Sequence, residues 1–364
     1  MKKIICCLLV ILASSSFTFS FAQKKNAFEI KNGANISHWL SQGGNRRTLD
    51  AITEFFTRSD VEFIAKQGFD HIRIPIDEER MFDENGQKKP EAFALLHNAL
   101  RWCDEFNLRA IVDLHILRSH RFVGDANVRP LFKDPKAQEQ FYECWRKISG
   151  ELNKYSVDKV AYEPMNEPVA EDHEIWNMIL NRCVEVIRKL EPNRTILMGP
   201  NEWNSYRNAE KLKIPANDPN IIISFHYYIP MLLTHYQAGW TNVRDITVPV
   251  HYPGQLIADA DIGSAQNHAT AGKMVYNMAV IEKDFLQVVE VGKKHNLTIH
   301  CGEYGVISKA PEEDKIRWFK DLYTLFERHG IARSHWDYKS NDFGIITTEG
   351  VQQTKMINAI LGKN

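Results

Sequence analysis

Along the chain, short runs of β-branched and apolar residues alternate with longer stretches whose apolar positions return every three to four residues. The short runs fall at 34–37, 71–75, 109–115, 160–166, 195–199, 221–228, 298–303 and 331–336. The helical periods fall at 59–67, 90–106, 135–155, 173–190, 275–295 and 312–329, with a last one near 352–361. Asp134-Pro135 reads as an N-cap followed by proline in the first turn, and Ser59-Asp60 opens the first helical period in the same way. Strands alternating with helices pair in parallel through right-handed crossovers, and eight of them close a (β/α)8 TIM barrel. An open doubly wound sheet is the alternative, but no glycine-rich turn follows the first strand.

One stretch, 229–274, has no clear period. A connection of that length inside a compact domain serves function or moves. With His235, Tyr236, Trp240, His251 and Tyr252 in it, a wall or lid over a cleft is expected.

Composition narrows the class. Of 364 residues, 44% are hydrophobic and 25% charged, which describes a globular chain and excludes a disordered, collagen-like or multi-span membrane protein. The net charge of −1 gives no basic field for nucleic acid or anionic lipid. At the N-terminus, Lys2 and Lys3 precede an apolar run that ends in small residues and Ser20-Phe21-Ala22. A signal peptide over 1–22 is therefore expected, leaving 23–364 as one catalytic domain, exported to the periplasm or the medium. Its removal takes two of 45 basic residues and leaves 43 against 46 acidic, a charge of −3. A monomer free of the membrane is expected after cleavage. Cys103, Cys144, Cys183 and Cys301 remain, scattered and without metal-ligand spacing, and read as buried thiols.

In a barrel of this kind the C-terminal ends of the strands carry function. Here they hold Arg73, His115, Asn166, Glu167, His226, Tyr228, Glu303 and Trp336 where apolar filling would cost less. His226 and Tyr228, two apart, face the same side of their strand. Two carboxylates among Arg, His, Asn and aromatic rings suit cleavage of a glycosidic bond, which needs a proton donor, an anionic nucleophile or base, and a stacking surface. No nucleophile elbow, zinc-protease helix, P-loop or dinucleotide fingerprint competes, and His115 and His120 lack ligand spacing, so no metal or cofactor is expected.

The segments 68–75 (GFDHIRIP), 112–115 (VDLH), 162–168 (YEPMNEP), 224–228 (SFHYY), 302–305 (GEYG) and 335–337 (HWD) together resemble glycoside hydrolase family 5, the cellulase family of clan A. The resemblance runs in order through the chain after residue 22. It implies Glu167 as general acid/base and Glu303 as nucleophile of a retaining double displacement. Arg73 and Tyr228 would hold the nucleophile, His226 would stand beside the acid/base, and Asn166 would bond the sugar 2-hydroxyl. His115 would contact substrate, and Trp336 would lie under the sugar at the cleaved bond, tilted by a cis peptide to Asp337. Trp39, Trp203 and Trp240 are further candidates for stacking sugars. The implied function is hydrolysis of a β-glucan polysaccharide or oligosaccharide, endo-β-1,4-glucanase foremost. The same fold and mechanism on β-mannan, xyloglucan or β-1,3-glucan, by endo or exo action, is the first alternative, and a catalytically silent carbohydrate-binding barrel the second.

Overall fold

The computed structural model describes residues 26–43, 48–124 and 129–363. The leader expected at 1–22 lies outside them. Eight parallel strands close in sequence order: β1 (Asn32–Asn35), β2 (His71–Asp77), β3 (Arg109–Ile116), β4 (Val160–Glu163), β5 (Ile196–Met198), β6 (Ile221–Tyr227), β7 (Thr298–Tyr304) and β8 (Ala332–His335), which returns to β1. The expected (β/α)8 barrel is the fold.

Around it lie α1 (Leu49–Phe55), α2 (Arg58–Gln67), α3 (Pro90–Glu105), α4 (Pro135–Leu152), α5 (His173–Leu190), α6 (Met278–His295), α7 (Glu312–His329) and α8 (Thr354–Leu361). Asp134 caps α4 through the Lys136 amide, with Pro135 in the first turn, as its sequence dictates. The cap of α2 is Thr57 rather than Ser59. Asp60 sits at the third helical position and closes a capping box, bonding back to the Thr57 amide at 2.8 Å. Helix α1, whose apolar face buries only Ile52, is too short to show a period and was not expected. After β5 a 3-10 turn (Tyr206–Lys211) stands in place of a regular helix.

The stretch 229–274 is built from short pieces, which is why it shows no period. A single helical turn (Met231–Thr234) is followed by a two-stranded antiparallel ribbon, Gly254–Gln255 with Val275–Tyr276, and a 3-10 segment between them. The expected helix start at 275 is corrected accordingly. Val275 and Tyr276 take the ribbon, and Asn277 caps α6 by accepting from the Val280 amide.

The barrel interior changes character from bottom to top. At the N-terminal end Phe28, Ile111, Ala161, Leu197 and Ile222 form an apolar plug. Above it the Ser334 hydroxyl links His71 (2.8 Å) and His300 (2.9 Å), both fully buried. Higher still, the inward positions are Arg73, Asp113 and Glu163, all without solvent exposure. A buried layer of charge in place of branched apolar side chains is the costliest filling available, and it lies directly under the mouth. Among the described residues the cysteines, Cys103, Cys144, Cys183 and Cys301, are buried and unpaired.

Candidate active site

The organising group is the Arg73 guanidinium. Its Nε donates to Glu163 (2.6 Å), Nη1 to Glu303 (2.8 Å) and Asn35 (2.9 Å), and Nη2 to Asn166 (2.8 Å), with Asp113 paired to Nη2 at 3.0 Å. Five acceptor groups thus surround a side chain that has five N–H bonds. The Tyr228 hydroxyl donates to the other oxygen of Glu303 at 3.0 Å.

Glu167 follows β4 in a left-handed conformation, φ 46°, which a non-glycine residue adopts only when neighbours hold it. Those neighbours are Leu114, whose carbonyl accepts from the Asn166 amide at 3.2 Å, and His120, which donates to the Glu167 carbonyl at 3.1 Å. The turn aims the Glu167 carboxyl at His226, whose Nδ1 lies 2.9 Å away and 3.6 Å from Glu303. One carboxylate oxygen of Glu167 and one of Glu303 stand within 4.8 Å of each other.

Electrostatics separate the two carboxyls. Burial raises Glu167 well above the usual carboxylate range, and the neighbouring Glu303 charge raises it further. Burial also raises Glu303, but the Arg73 charge beside it and the Tyr228 hydrogen bond pull it back. His226 is held neutral by burial and by Arg73, so its Nδ1–H donates to Glu167 as a neutral group. Burial keeps the Tyr228 phenol protonated, as its donor role requires.

His115 donates Nδ1–H to Asp113 at 2.7 Å and is pushed down to about 4 by burial. Its ring lies parallel to Trp336, centroids 5.6 Å apart and planes within 7°. The Trp336–Asp337 peptide is cis. His115 Nε2 and Asn166 Nδ2 are buried without a protein partner, the state of polar groups awaiting hydroxyls. The only cluster of metal-capable groups among the described residues is Glu167, His226 and Glu303. Within it Glu167 and His226 are bonded to each other, and Glu303 to Arg73 and Tyr228.

The tryptophans divide. Trp203 (50% exposed) and Trp240 (57% exposed) present rings to solvent at the rim. Trp203 belongs to three successive left-handed residues, Glu202, Trp203 and Asn204, that turn its indole outward to bond the Phe122 carbonyl at 3.0 Å. The same turn sends Asn204 inward beside Glu163 (3.4 Å) and His226 (3.5 Å). A Cβ on Gly199 would come within 2.5 Å of the Asn204 amide, so only glycine admits it. Trp240 packs against Phe343 and His235. Trp39 is corrected: it is fully buried against Phe56, with its indole N–H bonded to the Ile52 carbonyl at 3.0 Å, and offers no face to a sugar.

Sequence reading passed over Asn35, Asp113, Glu163 and Asn204, and weighed His120 only as a metal ligand. For three of them a signal existed. Asn35 ends its strand, and Asp113 and Glu163 are charged residues inside apolar runs, two and four residues before recognised site residues. His120 and Asn204 sit in loops, where no pattern marks them.

A closed parallel barrel with two carboxyls, a guanidinium and an indole converging at its C-terminal mouth defines a carbohydrate-cleaving enzyme of the (β/α)8 class. Residues 30–342 match the cellulase family, glycosyl hydrolase family 5, and the chain belongs to that family and is a glycoside hydrolase. Endoglucanase C of Acetivibrio thermocellus is 31% identical over 326 residues, covering 86% of this chain and 93% of that protein. Cellodextrinase A of Ruminococcus flavefaciens is 29% identical over 306 residues, 84% of each. Among solved structures, cellulose synthase subunit Z of Clostridioides difficile has a TM-score of 0.75 at 24% identity, covering 92% of this chain and 100% of that one. No helix among the described residues is long and apolar enough to cross a membrane.

Proposed function

We propose that this enzyme is an exported, retaining endo-β-1,4-glucanase in which Glu303 is the nucleophile and Glu167 the general acid/base. The observation that carries the reading is the short span between the two carboxyls, with oxygens within 4.8 Å. Retention needs carboxyls about 5–5.5 Å apart, because the nucleophile must reach the anomeric carbon itself, whereas inversion needs about 6.5–9.5 Å to admit water. Endoglucanase C, similar over nearly its whole length, supports the β-1,4-glucan substrate. The leader-like residues before Gln23 support export.

In the first half-reaction Glu303 attacks the anomeric carbon while Glu167 gives its proton to the departing glycosidic oxygen. Arg73 and Tyr228 hold the attacking carboxylate in line and ionised. In the second half-reaction water, deprotonated by Glu167, releases the sugar and regenerates Glu303. His115 Nε2 and Asn166 Nδ2 take the hydroxyls of the sugar at the cleaved bond, and Trp336 supports its ring. Trp203 and Trp240 stack sugars further along the substrate, a role their exposed rings support.

The similarity to a cellodextrinase favours a second reading, action on short cellodextrins. Reducing-sugar release from carboxymethylcellulose, barley β-glucan, mannan, xyloglucan and cellopentaose distinguishes these. Endo-glucanase action gives a rapid fall in viscosity of the polymeric glucans. Turnover of cellopentaose alone establishes the second reading, and no turnover of any member of the panel refutes both.

A further inference from the structure

Glu163 has no place in the proton and sugar contacts above, yet it is fully buried at the end of β4, bonded at 2.6 Å to Nε of Arg73. Four carboxyls, Asp113, Glu163, Glu167 and Glu303, share that one guanidinium as their nearest cation. We propose that Glu163 is a positioning residue for both catalytic glutamates: it fixes the plane of the guanidinium that holds Glu303, and its buried charge keeps the proton on Glu167. The inference rests on the two-glutamate reading and extends it to a residue that touches neither substrate nor the reacting atoms.

The geometry gives each half of the role. A guanidinium is planar, so anchoring Nε leaves Nη1 and Nη2 one orientation, and in it they meet Glu303 and Asn166. Without the Nε anchor the plane is free to turn toward Asp113 and away from the nucleophile. The charge acts through a dry interior. Facing Glu163 are Arg73 from β2, Asp113 from β3, and the Asn204 amide after β5. Facing Glu167 are Glu303, Arg73, Asp113, Glu163 and His226, which is neutral. Facing Glu303 are Arg73, His115, Asp113, Tyr228 and His226. Glu163 titrates at about 7, raised by burial against the pull of Arg73, so it is charged on the alkaline side, where Glu167 must still hold its proton. Asp113 shares the cluster but also orients His115, so its variants would mix two effects. Glu163 isolates one.

The test uses three variants of the full-length enzyme, with active sites counted by the dinitrophenolate burst from 2,4-dinitrophenyl 2-deoxy-2-fluoro-β-cellobioside. Glu163→Gln keeps an oxygen for Nε–H, and the Asn204 amide, whose Nδ2 faces Glu163 at 3.4 Å and whose Oδ1 is unpartnered, can turn over to accept from the new amide. Its kcat per counted site should stay within about tenfold, while the alkaline limb of kcat/KM moves to lower pH. Glu163→Asp keeps the charge and loses the reach, so kcat should fall while that limb stays at the wild-type position. Glu163→Ala should lose about 100-fold in kcat with KM within about threefold, since the sugar contacts survive. The Gln and Asp pair decides the matter even if the Ala variant does not fold. Limbs unmoved in Gln, with normal kcat per site in Gln and Asp, would reduce Glu163 to filler and overturn the inference alone. A wild-type enzyme that gives no burst overturns the two-glutamate reading and this proposal with it.

Discussion

His226 presents Nδ1 to Oε1 of Glu167 at 2.9 Å, and it does so as a neutral imidazole. A cation there would strip the proton from Glu167. A neutral donor instead orients the carboxyl and leaves burial and the Glu303 charge to keep it protonated. Glu303, with Arg73 and the Tyr228 hydroxyl on its two oxygens, is the more acidic of the pair by construction. The division of labour between two identical side chains therefore lies in their neighbours.

That division predicts the fate of each variant. Glu303→Ala should abolish turnover on every substrate, because no glycosyl-enzyme can form. Glu167→Ala should lose about 10²–10⁴-fold on cello-oligosaccharides and far less on dinitrophenyl glycosides, whose leaving group needs no proton. Azide should rescue Glu167→Ala with a β-glycosyl azide and Glu303→Ala with the α-product, identified by proton NMR. The opposite products would exchange the two roles.

The same neighbours fix the sign of the pH dependence. On the proposed mechanism turnover needs Glu303 ionised, so it falls as pH drops through the Glu303 pKa, which burial raises above the ordinary carboxylate value. It also needs Glu167 protonated, so it falls again as pH rises through the still higher pKa of Glu167. The expected profile of kcat/KM is a bell whose two limbs both lie above free carboxylate values. In Glu167→Ala, assayed on a dinitrophenyl glycoside, the alkaline limb should vanish and the acid limb remain. Persistence of the alkaline limb would assign it elsewhere.

The tryptophans should separate by what they cost. Trp39→Ala removes a buried indole and its bond to the Ile52 carbonyl, and should destabilise the fold by about 3–5 kcal/mol with KM unchanged in the surviving enzyme. Trp203→Ala and Trp240→Ala should leave the denaturation midpoint within about 1 kcal/mol of wild type and raise KM for cellopentaose more than for an aryl cellobioside. Urea titration and steady-state kinetics on the three variants check both halves.

His335, its ring packed against Tyr304 and Phe319, gives a stability test. Burial depresses its pKa to about 3, and its Nε2–H is bonded to the Phe343 carbonyl at 3.1 Å. The unfolded chain binds that proton near 6.5, so the neutral imidazole's contribution is complete above 6.5 and is lost as pH falls toward 3. Gln at this position donates to the same carbonyl and does not titrate. Relative to wild type, His335→Gln should therefore gain up to about 1.4 kcal/mol per pH unit below 6.5, measured as urea midpoints at pH 7, 5.5 and 4.5. A constant difference would mean that His335 is charged in the fold.

On the proposed mechanism both reacting groups are protein carboxylates, so chelation should leave activity intact. Activity lost in EDTA and restored by a divalent ion, with the urea midpoint unchanged, would contradict this.

The barrel and the contents of its mouth are legible in the chain alone. Eight β-branched runs separated by helical periods leave parallel closure as the economical arrangement, and polar residues at strand ends are legible because strand periodicity says which way they point. Arg73, His226 and Glu303 could be found that way, and Glu167 by its place just past a strand end, where a left-handed turn and not the strand period aims it. The tertiary structure alone decided the rest, because those properties depend on neighbours far apart in the chain. Trp39 and Trp203 both follow a strand end, yet one is sealed against Phe56 and the other turned out by three left-handed residues. Asp113 and Glu163 sit in runs that read as plain buried strand, and only closure of the barrel shows that both reach one guanidinium from β2. The order in which Glu167 and Glu303 hold their protons is likewise set by Arg73, Tyr228 and His226 converging from separate strands, a matter of distance through a dry interior that no linear pattern encodes.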